Sequence, residues 1–150
     1  MTVVAFTGTR NGMTDEQADA VRYVLEQIRL DTASLYDPAP DTPDEFHYGD
    51  CVGADEEAFE IAKAREFHTH CHPAFPEGDP RRAGTKGADE TYDVFPPLAR
   101  NKRMVDASDI LVAAPSGAYE RVRSGTWATI RYARMIDKPI VMVLPSGAIQ

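Results

Sequence analysis

The chain has 150 residues, and 16 Lys plus Arg against 24 Asp plus Glu give a formal net charge of −8. That length suits a single domain with its own core, and 43% hydrophobic residues exclude a disordered chain. An acidic chain is poorly suited to gripping duplex nucleic acid, no apolar run approaches the ~18 residues of a membrane span, and two cysteines, Cys51 and Cys71, make no disulfide framework.

Residues 1–8 lack the basic region and long apolar stretch of a secretory leader, so the chain is expected in the cytoplasm. The charge is uneven: residues 1–75 hold 5 basic and 15 acidic side chains, residues 76–150 hold 11 and 9. A local basic pocket on an acidic molecule suits a small anionic ligand better than a polymer.

Val3-Val4-Ala5-Phe6, stopped by Gly8, predicts a buried parallel strand. Thr14 and Gln17 form a capping-box pair, followed by apolar Ala18, Val21, Leu25 and Ile28 at helical spacing, so a helix is predicted over about 14–30. Three prolines make 37–44 a loop. A second strand is predicted over 45–48 and ends at Gly49. A second helix, opened by Gly53 and the acids at 55–57, carries Ala54, Ala58, Ile61 and Ala62. Residues 67–72 read as a third strand. Residues 74–91, rich in Gly, Pro and charge, read as a long irregular loop. Pro96-Pro97 opens a helix running to about 107, because proline is tolerated in the first turn. The fourth strand is 109–114, 117–124 is a loop, 125–136 a helix and 139–144 the fifth strand. This strand–helix alternation predicts a single-domain α/β fold: a doubly wound, mostly parallel, five-stranded Rossmann-like sheet.

Ligands of such sheets sit beyond the carboxyl ends of the strands. Thr7, Gly8, Thr9 and Arg10 form a small-residue turn that lets backbone N–H groups approach a phosphate, with Arg10 as a clamp. Gly49, Asp50, Gly53 and Asp55 lead into a helix N-terminus, where the two aspartates suit ribose hydroxyls and Asp55 equally suits a helix cap. Arg100 and Asn101 lie on the helix before strand four. Ser124, Gly125 and Thr126 open the helix after it, offering hydroxyls and free N–H groups at a positive dipole end.

Other residues are less specific. His68, His70 and His72 alternate and share one strand face, but their spacing is unlike common zinc motifs, so no metal and no cofactor are expected. Trp127 suits stacking on a base or a place in the core. Cys51 has no base nearby in sequence to make it a nucleophile.

Arg100-Asn101-Lys102-Arg103-Met104-Val105-Asp106-Ala107-Ser108-Asp109, the apolar strand, Pro115 and Gly125-Thr126 together resemble the SLOG superfamily. That group joins the Rossmann-like LOG phosphoribohydrolases to the Smf/DprA nucleotide-binding fold. The Gly8-Thr9-Arg10 turn and the 49–55 segment are similar to its small stand-alone members, several of them from phages. The resemblance implies a nucleotide or nucleotide-derived ligand, NAD-derived or cyclic, held by a sensor or sequestering protein. It also implies a homo-oligomer, with the Arg100 helix as a candidate contact.

The alternative it implies is hydrolysis of the N-glycosidic bond of a nucleoside 5′-monophosphate. Arg100 matches the catalytic arginine of LOG enzymes, but Thr129 stands where they carry a glutamate, and about six extra residues separate Pro115 from Gly125. A carboxylate is what stabilises an oxocarbenium-like transition state or activates water. The catalytic candidates are therefore Arg100, Glu120 and Asp50, with Asp55 as a further substitute carboxylate.

Overall fold

A computed structural model describes residues 1–35 and 43–150. Most of the predicted 37–44 loop lies outside the described residues. The elements are β1 (Val3–Gly8), α1 (Asp15–Leu35), β2 (Glu45–Tyr48), α2 (Ala54–Ala64), β3 (His68–Cys71), β4 (Glu90–Thr91), α3 (Pro97–Ala107), β5 (Ile110–Ala114), α4 (Gly125–Met135) and β6 (Ile140–Met142). The strands form one sheet in the order β4-β3-β2-β1-β5-β6, and every ladder is parallel.

The capping box at the start of α1 forms as its sequence predicts. Gln17 N–H donates to Thr14 Oγ1 at 3.0 Å and Thr14 N–H to Gln17 Oε1 at 3.4 Å. The same buried Gln17 donates from Nε2 to the carbonyls of Pro115 and Val143, at 2.9 and 2.8 Å. One residue thus starts a helix and ties it to the segments after β5 and β6.

The helix runs past the predicted end near residue 30. Thr32, in the added turn, is buried and donates to Asp44 Oδ1 at 3.0 Å, and Arg29 bonds the same carboxylate at 3.0 Å. These tertiary contacts outweigh the weak helix preference of the last turn.

The larger core lies on one face of the sheet, where α1 and α2 bury Val21, Leu25, Ala58, Phe59 and Ala62 against Val4, Phe6, Phe46, Tyr48 and Val112. On the other face α3 and α4 cover Ala5, Leu111 and Ala113 with Met104, Val105, Ile130 and Ala133. The sheet is doubly wound, as predicted. It has six strands rather than five. Glu90–Thr91 pairs with His70 and Cys71 at the edge, inside what the sequence suggests is an irregular loop. Two residues carry no period-2 pattern, so such a strand is invisible before the fold brings it alongside β3.

The strand order reverses between β1 and β5. The connection after β1 runs to one side and that after β5 to the other, which leaves a crevice at their carboxyl ends.

Candidate functional site

A cavity of about 320 Å³ occupies that crevice. Its walls include Thr7, Gly8, Thr9, Arg10 and Asn11 after β1, Gly49, Cys51 and Asp55 around the start of α2, Arg100 and Asn101 on α3, Ser116 after β5, and Arg123, Ser124, Gly125 and Thr126 at the start of α4. The structure therefore brings together Thr7, Gly8, Thr9, Arg10, Gly49, Asp55, Arg100, Asn101, Ser124, Gly125 and Thr126 from the expected set. Asp50, Gly53 and Glu120 do not line it among the described residues.

The β1 turn is held by its backbone amides, which bond β5 and the Thr9 side chain. Thr9 N–H donates to Ala114 O at 3.0 Å, and Asn11 N–H to Thr9 Oγ1 at 3.2 Å. Gly8 has no room for a side chain: a Cβ there would stand 2.5 Å from the Ala54 Cβ. Close approach of α2 to the end of β1 is what makes glycine necessary.

At α4, Ser124 caps the helix, its Oγ accepting from Trp127 N–H at 3.3 Å while its carbonyl takes Ala128 N–H. The first-turn amides of Gly125 and Thr126 have no carbonyl within the helix to bond, and both residues line the cavity. Nothing lies within 4 Å of a Cβ built on Gly125. Trp127 is buried with Ala113, Ile130, Met142 and Leu144, so it belongs to the core and offers no face to a base.

Arg100 is not a free cation at the mouth of the site. It is 5% exposed, and its Nη1 donates to the carbonyls of Gly49 and His72 at 2.6 and 2.7 Å. Its Nε donates to Asn101 Oδ1 at 2.7 Å. The guanidinium clips the end of β2 to the end of β3, and only part of it faces the cavity.

Asp50 corrects its expected role. It sits in the left-handed region at φ 56 and turns its buried carboxylate toward residues 82–85. There it accepts from Arg82 Nε at 3.1 Å, Thr85 N–H at 3.0 Å and Thr85 Oγ1 at 2.9 Å. It anchors the long 74–91 segment, which is further tied by Val52 N–H to Arg81 O and Ala83 N–H to Asp50 O. Glu120 is corrected too: it bonds Arg131 at 2.9 Å on the surface, with 47% of its side chain exposed. Thr129 donates to Gly125 O inside α4, as a helical threonine commonly does.

Two features of the site escaped the sequence reading. One is the part played by Arg123, which opens the 123–129 segment but carries no role in that reading, and which lies on the rim with no hydrogen bond or ion pair among the described residues. The signal was its place directly before Ser124-Gly125-Thr126. Arg10 is similarly uncommitted: its guanidinium only faces the Phe75 ring, 5.7 Å from the centroid.

The second feature is the state of Asp55, the one carboxylate among the described lining residues. Its Oδ2 accepts Cys51 N–H at 3.1 Å. Burial pushes its pKa up from 3.8 to about 6, although the Arg100 guanidinium pulls the other way. Burial also raises the Cys51 thiol, so it stays protonated at neutral pH and is not an activated nucleophile.

An anion placed in this crevice would feel the charge state of Asp55. The carboxyl is neutral below about 6 and repels an anion above it, so affinity for a phosphodiester or pyrophosphate, whose own charge is constant over this range, is expected to rise roughly tenfold from about pH 8 to about pH 5. Asp55→Asn should abolish most of that dependence in a titration series. An unchanged pH profile in the variant would assign the dependence elsewhere. The stability sign runs in parallel: the favourable contribution of the raised pKa is full below 3.8 and is lost as pH rises through about 6.

Compared with protein-family models and with curated protein sequences, the chain matches none. Solved structures do resemble it. A molybdenum cofactor binding protein from Rippkaea orientalis superposes with a TM-score of 0.69 at 19% identity, over 95% of this chain and 76% of that one. DNA processing protein A from Streptococcus pneumoniae gives 0.64 at 18% identity, over 95% and 50%. DNA processing protein A from Helicobacter pylori gives 0.61 at 18% identity, over 94% and 64%. This chain thus spans between half and two thirds of the DNA processing proteins it resembles. The likeness establishes the fold, a Rossmann-like α/β domain with a parallel sheet. Among the described residues no helix is long and apolar enough to cross a membrane.

Proposed function

We propose that the chain binds a phosphate-bearing nucleotide or nucleotide-derived small molecule in the crevice between β1 and β5, as a sensor or sequestering protein. One observation carries this reading. The uncommitted guanidiniums of Arg10 and Arg123 stand on the rim of a cavity whose wall includes the first turn of α4. Charge, dipole and free amides there all favour an anion. The volume, about 320 Å³, lies at the low end of small-molecule sites. The structural neighbours are consistent with a ligand-binding use of the fold: one is a molybdenum cofactor binding protein, and the Helicobacter pylori structure concerns single-stranded DNA binding. Asp55 would accept or donate to a sugar hydroxyl, and Asn101 would add a polar contact.

A second reading, hydrolysis of an N-glycosidic bond, is favoured by the same Asp55. A cavity carboxyl with a pKa of about 6 is suited to proton transfer near neutral pH. It replaces Glu120 and Asp50 as the carboxylate of that mechanism. In either reading the chain would self-associate through α3, where Leu98 is exposed.

Native mass spectrometry with AMP, ADP-ribose and cyclic ADP-ribose tests both. A one-per-chain complex with intact ligand supports binding alone. Release of free base that stops in Asp55→Asn supports hydrolysis. Arg123→Ala and Arg10→Ala are each expected to weaken the complex by roughly tenfold with no change in the thermal midpoint. Unaltered affinity in both variants would remove the anion from this rim.

A further inference from the structure

All four histidines of the chain, at 47, 68, 70 and 72, form one cluster, and none of them lines the cavity. The register of β2 and β3 explains it. Glu45 pairs with His68 and His47 with His70. Phe46, Tyr48 and Cys71 point into the core under α1 and α2, so the alternate residues Glu45, His47, His68, His70 and His72 share the opposite face. On that face α3 and α4 lie over β1, β5 and β6, and the polar cluster covers β2 and β3.

From this arrangement we infer that Glu45, His47 and His70 bind a divalent transition-metal ion of the zinc type. One ligand atom from each of the three lies within 4.8 Å of the others. His47 Nε2 stands 2.8 Å and His70 Nε2 3.4 Å from the same oxygen, Glu45 Oε1. A tetrahedral ion with ligands at about 2.0–2.1 Å spaces its donor atoms by roughly 3.3–3.4 Å, so only small side-chain rotations are needed.

The outer nitrogens are already engaged. His47 Nδ1 is 2.7 Å from His72 Nε2, and His70 Nδ1 is 2.8 Å from the Tyr92 hydroxyl. That is the outer shell a ligating imidazole requires: a partner on Nδ1 that fixes the ring with Nε2 toward the ion. The rings are also held by stacking, His47 on His70 at 4.2 Å and His72 on Tyr92 at 4.3 Å. His68 Nδ1 lies 2.9 Å from His70 Nε2, on the half-buried edge of the cluster. It is the natural fourth ligand once the ion displaces that hydrogen bond. Two or three imidazoles with one carboxylate select zinc, cobalt, nickel or copper over magnesium or calcium.

The site was missed in the sequence because half its donors come from β2. The run 67–72 shows alternate histidines, but His47 and Glu45 join them only through strand pairing. The His72 carbonyl accepts from Arg100, so the cluster also backs the wall of the crevice.

The test is calorimetric titration of ZnCl2 into the tag-free, chelator-stripped full chain, paired with Co2+ absorption spectra. One Zn2+ per chain is expected, with a rise in thermal midpoint. Glu45→Gln keeps the shape of the side chain and is expected to weaken binding at least about tenfold, with Zn2+ no longer raising the midpoint. His70→Asn should do the same, and far-UV circular dichroism establishes that each variant is folded. No stoichiometric heat with the unaltered chain would overturn the inference and leave a purely hydrogen-bonded cluster. So would equal affinity in the folded Glu45→Gln protein, or a Co2+ spectrum dominated by thiolate charge transfer. Neither measurement involves a nucleotide, so the result stands apart from the reading of the crevice.

Discussion

Arg100→Ala is expected to lower the free energy of unfolding by about 3–5 kcal/mol, far more than it would if Arg100 served only a ligand. The guanidinium donates to two buried carbonyls, those of Gly49 and His72. Each carbonyl left without a donor costs about 1–3 kcal/mol. The loss also removes the cation beside Asp55, whose carboxyl would then shift still further up. Chemical denaturation at neutral pH reads the change directly. Arg123→Ala is the contrast: its side chain has no bond to lose, so stability should hold while anion affinity falls. If Arg100→Ala instead kept its stability and lost only affinity, the residue would act on the ligand directly, as its match to a catalytic arginine implied. Arg100→Lys should recover only part of the stability, since one ammonium cannot reproduce the planar fork that meets both carbonyls.

That case shows why the fold was easier to read than the site. Helix starts depend on neighbours in sequence, so Thr14 with Gln17 and Pro97 at the first turn of α3 could be read directly. Residues 3–6 of β1 and all of β5 are apolar because both faces of those strands are covered, and that too is local. The set of segments meeting at the crevice follows from the strand order, and most expected residues are there. What a side chain does within the site depends on long-range partners. Asp50 and Asp55 are five residues apart with similar surroundings in sequence. One is turned to Arg82 and Thr85 by a left-handed backbone, and the other faces the cavity from the first turn of α2. Arg100 and Arg123 are equally alike on paper, yet one is spent on carbonyls 51 and 28 residues away. The histidine cluster follows the same rule, since strand pairing alone joins residues 45 and 47 to 68 and 70.

Gly53→Ala should be about as damaging as Arg100→Ala although Gly53 does not line the cavity. Its backbone lies at φ 94 and ψ −126, a region where a side chain is strained. A Cβ at this position would meet the backbone of the neighbouring turn, 2.6 Å from the Arg10 carbonyl carbon and 2.7 Å from Thr9 O. Backbone cannot swing aside as a side-chain tip can. Either α2 retreats, or the turn after β1 moves and breaks the 2.9 Å bond from Ala54 N–H to Thr9 O. Strain, clash and a lost bond together are expected to cost about 3 kcal/mol or more. The turn that must move carries Arg10, so the surviving folded molecules should also bind anions more weakly. Gly125→Ala is the opposite case. It points into open space at the first turn of a helix, where alanine is the better helix former by up to about 1 kcal/mol. The thermal midpoint should therefore drop steeply in Gly53→Ala and hold or rise in Gly125→Ala, whose added methyl group meets nothing within 4 Å. If the midpoint were unchanged in Gly53→Ala, α2 and the β1 turn could not lie as close as the crevice requires, and Arg10 would lose its place on the rim.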